Sequence, residues 1–230
     1  MKSVAILLHG AMGSEKQLFP LKQLLSENFD VYTLNFTGHG GKAFGEEFGI
    51  ERFSKDLVQL LDQKNLNNVN ILGYSMGGYV ALNAALTDSR IAKIFTLGTK
   101  FGWSPESAMQ AVKMFDPGKI EEKVPAFAET LKLMHQPQDW KEVMTHTTKM
   151  MISLGKSPIL HSKNLKEVKI PVIIGLGAED NMVSVHESKE VVNALPQSEF
   201  QLYEGFKHPI EQVDISLLAN DLTEFFLKES

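Results

Sequence analysis

The chain of 230 residues contains no cysteine. That absence excludes disulfides, a thiol nucleophile and thiolate metal ligation together, and it fits a reducing compartment. Long apolar runs are missing too. The N-terminal run over 4–8 is too short for a signal-peptide core, and no stretch approaches bilayer length, so a cytoplasmic location without a membrane partner is expected. Positive charge is not in excess: 23 Lys and Arg stand against 28 Asp and Glu, a formal net charge of -5. No basic block interleaved with aromatics is found, which removes the electrostatic basis for binding nucleic acid. No Gly-x-Gly-x-x-Gly follows the first apolar run, and Gly155-Lys156-Ser157 is not a phosphate loop because Met150 stands where its first glycine is required. No His/Asp/Glu cluster has metal-ligand spacing. Neither cofactor nor metal is expected.

What is present is ordinary globular material, 43% hydrophobic and 22% charged. Its pattern alternates. The continuous apolar run over 4–8 suits a strand buried on both faces, further strands are expected over 31–36, 69–72 and 91–97, and helical stripes over 14–25, 50–61 and 79–86 separate them. Strict strand–helix alternation implies a parallel sheet with right-handed crossovers. From 102 to 163 only helical stripes occur. Ser104-Pro105 is a cap followed by a first-turn proline, Ile120 to Met134 marks a second apolar face, and Pro137 opens a third helix carrying Trp140 and Met144. Alternation resumes with strands over 170–176 and 200–203 and helices over 185–195 and 210–226. The expected architecture is an α/β core of about six mainly parallel strands, 1–101 and 164–230, with a helical insertion, 102–163, after the fourth strand.

The strongest chemical signal is Gly73-Tyr74-Ser75-Met76-Gly77-Gly78, a Gly-x-Ser-x-Gly sequence between an expected strand and an expected helix. A bare Gly-rich turn needs no chemistry. In this context, however, a sharp strand-to-helix turn strains the central residue, and small residues two before and two after relieve the collision. The turn lifts the Ser75 hydroxyl to a helix N-terminus, where backbone N–H groups can stabilise developing negative charge. A serine hydroxyl needs a base, and the base needs a group that fixes its tautomer. Of seven histidines, His208 lies on a loop directly after the last expected strand. His135, His146 and His161 fall in the insertion, where exposed or satisfied side chains are expected, and His186 is expected at the surface. Glu179 and Asp180 follow the preceding strand, and either can serve as the acid. Nucleophile, acid and base thus gather at the carboxyl edge of the sheet. The oxyanion donors expected are the backbone N–H of Met76, directly after the serine, and that of Ala11, in the loop after the first strand. His9, in the same loop, is expected to brace it.

With these residues assembled, the chain resembles the α/β-hydrolase superfamily, in particular its compact capped serine esterase-like members, over almost its whole length. His9-Gly10 is similar to the family's oxyanion loop, Gly38-His39-Gly40 to the turn after its next strand, Gly73 to Gly77 to its nucleophile elbow, Gly177 to Asp180 to its acid turn, and His208 to its terminal histidine. The resemblance implies a catalytic triad of Ser75, Asp180 and His208, selecting Asp180 over Glu179. It also implies that the chain starts at the family's third strand, the first two being absent. Asn35, Thr37 and Lys207 depart from the family's usual residues beside the Gly-x-Gly turn and the histidine.

In the family the segment after the fourth strand here forms a lid, and 102–163 is expected to fill that role. It holds both tryptophans, Trp103 and Trp140, and Met109, Met114, Met134, Met144, Met150 and Met151. Methionine adapts to irregular apolar shapes, so Trp103, Met109, Trp140 and Met144 are candidate contacts for a small apolar substrate, although most such residues in a helical segment simply pack its core. The expected activity is hydrolysis of a carboxylic ester or thioester through an acyl-enzyme. The alternatives are C–C bond hydrolysis or elimination on the same scaffold, or a ligand sensor with negligible turnover.

Overall fold

The computed structural model describes residues 2–228. Six strands, β1 (Ser3–Leu8), β2 (Phe29–Thr33), β3 (Val69–Tyr74), β4 (Ile91–Leu97), β5 (Val172–Gly177) and β6 (Ser198–Tyr203), form one sheet in the order β2-β1-β3-β4-β5-β6. Every pairing is parallel. The continuous apolar run over 4–8 follows from this: alternate residues of one strand enter different cores. Ile6, Leu8, Ile71, Ile94 and Ile174 lie under α2 (Ile50–Lys64), α3 (Met76–Ala85) and α9 (Val185–Ala194) on one face. Ala5, Leu7, Leu72, Phe95 and Ile173 lie under α1 (Phe19–Leu25) and α10 (Ile215–Leu227) on the other.

This two-sided cover positions the site. After β1 the chain turns to α1 on one face, whereas after neighbouring β3 it turns to α3 on the opposite face. The two loops part at the carboxyl edge, and such a switch point leaves a crevice. Several expected boundaries move. The second strand ends at Thr33 rather than 36, because Phe36 turns inward to the core and its N–H donates to His9 Nε2 at 3.2 Å. The expected helix over 14–25 divides into a 3-10 turn, Glu15–Leu18, and α1. That over 210–226 divides because Asp214 caps α10, its carboxylate accepting from Ser216 and Leu217 N–H.

Between β4 and β5 run α4 (Pro105–Val112), α5 (Pro117–Lys123), α6 (Pro125–His135), α7 (Trp140–Lys156) and α8 (Ser162–Leu165), with no strand among them. The helix expected to open at Pro137 is α7, the fourth of this segment, and it starts at Trp140, since Asp139 is its cap and accepts from Lys141 N–H. Met12, Ile120, Leu131, Trp140, Val143 and Met144 form a separate small core there. No helix among the described residues is long and apolar enough to cross a membrane.

Candidate active site

Ser75 occupies the junction of β3 and α3 with φ 51 and ψ -119, a region that non-glycine residues rarely adopt. Its neighbours explain how the turn is tolerated. A Cβ on Gly73 would collide with the Gly78 backbone, and one on Gly77 would lie 2.5 Å from the Leu8 carbonyl oxygen. Thr99 Oγ donates to the Ser75 carbonyl at 2.9 Å and pins the turn from β4's loop. The spacing of small residues seen in the sequence is thus a steric requirement of the backbone crossing.

Asp180 and His208 reach the serine because their loops are hydrogen-bonded to each other. Ala178 N–H donates to Tyr203 C=O at 2.8 Å, and Glu179 N–H to Phe206 C=O at 3.0 Å. Asp180 Oδ1 accepts from Met182 and Val183 N–H at 2.8 and 3.0 Å, which fixes the carboxylate and leaves Oδ2 for His208 Nδ1–H at 2.7 Å. With that proton on Nδ1, Nε2 carries the lone pair, and the Ser75 hydroxyl lies 3.2 Å from it. The Asp180 and His208 side chains are 1% and 10% exposed, so water competes little for these bonds. Gly98, with φ +61, allows the close approach: a Cβ there would lie 3.1 Å from Asp180 Oδ2. Glu179, by contrast, is exposed.

The loop after β1 passes against the serine. A Cβ on Gly10 would fall 3.1 Å from Ser75 Cβ, and Ala11 and Met76 line one cavity with Ser75 and His208. Met76 is the first residue of α3, so its N–H has no acceptor one turn earlier in the helix. His9 braces this loop rather than approaching the serine: Nδ1–H donates to Gly10 C=O at 2.8 Å, and Nε2 accepts from Phe36 N–H.

Sequence reasoning missed several contributors. The Tyr74 hydroxyl donates to the His208 carbonyl at 3.0 Å, and burial pushes that phenol's pKa up, so it remains a donor. A chain of three buried imidazoles also joins elements far apart in sequence. His39 lies 5.3 Å from His9 and 5.9 Å from His135, centroid to centroid. His135, at the end of α6, accepts from Gly40 N–H at 3.1 Å and donates to Met12 C=O at 3.2 Å, tying the helical segment to the loops after both β1 and β2. Nothing in the spacing of residues 9, 39 and 135 indicates this proximity.

Burial lowers the His9 pKa to about 4, and the nearby His135 adds to the effect against the opposing bond to Gly10. His39 is held well below the usual imidazole range by burial and by His9 and His135. Unfolded, these histidines take up protons below about pH 6.5, whereas the folded protein resists. Their contribution to stability is therefore full above about 6.5 and is lost as pH falls below it, for His9 as pH falls towards 4. For His9 alone the loss is about 3 kcal/mol. Asp56 acts at lower pH. Burial would raise its carboxyl, but bonds from Lys42, Arg52 and Thr37 outweigh that and hold it below the usual range. Thermal melts should show Tm steady above about pH 7 and falling between about 6.5 and 4; a flat profile through that window would contradict the neutral, buried imidazoles.

The cavity over Ser75 measures about 350 Å³. From α4 it receives Ser107, Gln110 and Ala111, one helical face, and from α7 Met150, Met151 and Leu154. Of the four candidate substrate contacts, Trp103 lines it. The other three are corrected. Met109 points off the lining face of α4 and is 56% exposed, while Trp140 and Met144 are buried in the separate core with Met12. On α7 the apolar stripe changes partner along its length: the N-terminal turns pack on α5 and α6, and the C-terminal turns line the cavity over the serine.

Comparison with known proteins agrees with this fold. The family model described as alpha/beta hydrolase fold matches residues 5–135. A provisionally named carbamate hydrolase of Agrobacterium fabrum is 25% identical over 96% of this chain and 92% of its own length. A provisionally named 2-succinyl-6-hydroxy-2,4-cyclohexadiene-1-carboxylate synthase of Bacillus subtilis is 24% identical over 96% and 89%. Among solved structures, an esterase from Exiguobacterium antarcticum superposes with a TM-score of 0.78 at 17% identity, over 98% of this chain and 92% of that one.

Proposed function

The chain belongs to the alpha/beta hydrolase fold family, and from that membership we propose that it is a serine hydrolase of small, largely apolar carboxylic esters or thioesters. The observation that carries the proposal is the relay from Asp180 through His208 to Ser75 at the floor of an apolar cavity. In this reading His208 takes the Ser75 proton as the oxygen attacks the acyl carbon, and the oxyanion accepts hydrogen bonds from Ala11 and Met76 N–H. The protonated imidazole then gives its proton to the leaving alcohol or thiol. Water, activated by the same histidine, releases the acid and frees the serine. The segment 102–163 serves as a lid that keeps bulk water from the acyl-enzyme, and the cysteine-free composition suits a cytoplasmic enzyme. A second reading, elimination on a carboxylate substrate, draws on the relative from Bacillus subtilis and uses the same serine and histidine without an acyl-enzyme.

A panel of p-nitrophenyl acetate, butyrate, octanoate and dodecanoate separates the readings. Steady hydrolysis of the shorter esters, with a burst of nitrophenol where deacylation is slower, is expected. No hydrolysis across the panel would remove the esterase reading.

A further inference from the structure

Adjoining the cavity over Ser75 is a second cleft of about 670 Å³, lined by the loop before α2, the first turn of α2 and residues of α7. The two spaces share three lining residues, Ile50, Met150 and Leu154. All three are buried, at 3%, 8% and 4% exposure. They form the partition between the spaces. Ile50 is fixed at the first turn of α2 and Leu154 is a branched side chain on the last turn of α7, but Met150 is unbranched and can be displaced without moving its helix. Gly49, which caps α2 with φ +139, leaves the flank of the methionine open; a Cβ there would lie 3.6 Å from Met150 Cγ.

We propose that Met150 is the end wall of the acyl pocket: it limits the length of acyl chain accepted over Ser75, and the second cleft is the space into which a longer chain would pass if that wall were shortened. The proposal rests on the esterase reading for its substrate class but not for its geometry. A chain held against the wall gains nothing from added methylenes, because the extra carbons remain in water or force a bend. Once past the wall, each further buried methylene strengthens binding about fourfold. The second cleft is polar at its far rim, with Arg52, His146 and Lys149 beside Glu46, Glu47 and Glu51. The preferred occupant is therefore a linear alkanoyl chain whose terminal carbons stop short of that rim.

The test compares wild type with Met150→Ala and, should the alanine variant fold poorly, Met150→Val, which keeps more buried surface. Met109→Ala is the control, since Met109 is exposed and lines neither space. The ratio of kcat/KM for p-nitrophenyl dodecanoate over butyrate is expected to rise at least about tenfold when Met150 is shortened and to stay near the wild-type value in Met109→Ala. Calorimetric titration with butyrate, octanoate and dodecanoate anions reads the same wall without turnover: affinity should level off with length in wild type and keep rising in the Met150 variants. Unchanged ratios and affinities, or an equal rise in the Met109 control, would overturn the wall. Absence of ester hydrolysis in wild type together with extended alkanoate binding in Met150→Ala would overturn the esterase reading and leave the wall standing.

Discussion

Replacing Ser75 by alanine is expected to lower turnover of p-nitrophenyl butyrate by on the order of a millionfold, the loss typical of removing a triad nucleophile. The residual rate should exceed that of water, because Ala11 and Met76 N–H and the apolar cavity remain in place. The fold should survive. Alanine keeps the Cβ and the same backbone demand at φ 51, and the change removes one side-chain hydrogen bond, to His208, worth about 1 kcal/mol. Circular dichroism and a thermal melt run beside the kinetics check this. A variant that is both folded and comparably active would assign the chemistry to another group.

The second large effect is at the acid. Asp180→Asn should lower kcat by on the order of ten thousandfold, because an asparagine amide presents a donor where Oδ2 now accepts from His208 Nδ1–H. The imidazole would then carry its proton on Nε2, facing Ser75 as a donor when an acceptor is needed. Glu179→Gln should change kcat by only a small factor, since that side chain is exposed and only its backbone N–H holds the loop, to Phe206 C=O. Kinetics of both purified variants on one ester decide the matter, and the reverse ranking would transfer the role to Glu179.

The core was legible in the sequence because parallel strands covered on both faces are largely apolar, as the unbroken run over 4–8 is and as 69–72 and 91–97 are apart from Asn70, Lys93 and Thr96. The strand-to-helix turn at Ser75 was legible because sterics dictate glycines on either side of it. Which carboxylate faces His208 was ambiguous for a physical reason. Glu179 and Asp180 are adjacent on one loop, and only the three-dimensional turn shows that Asp180 faces inward to Met182, Val183 and His208. Within 102–163, periodicity identified apolar faces but not their partners. Trp140, Met144, Met150 and Met151 lie along one helix, yet the first two serve the segment's own core and the last two the cavity. The cluster of His9, His39 and His135 was hidden for the same reason: proximity of residues far apart in sequence leaves no local pattern.

The claim that Ser75 is an activated nucleophile is tested most directly by treating the protein with an alkyl fluorophosphonate and locating the adduct by peptide mass spectrometry. The relay of Asp180, His208 and Ser75 predicts one adduct, on the peptide carrying Ser75, absent from Ser75→Ala and formed far more slowly in His208→Ala. An adduct on a different serine, or ester hydrolysis that continues undiminished with Ser75 unlabelled, would contradict the account.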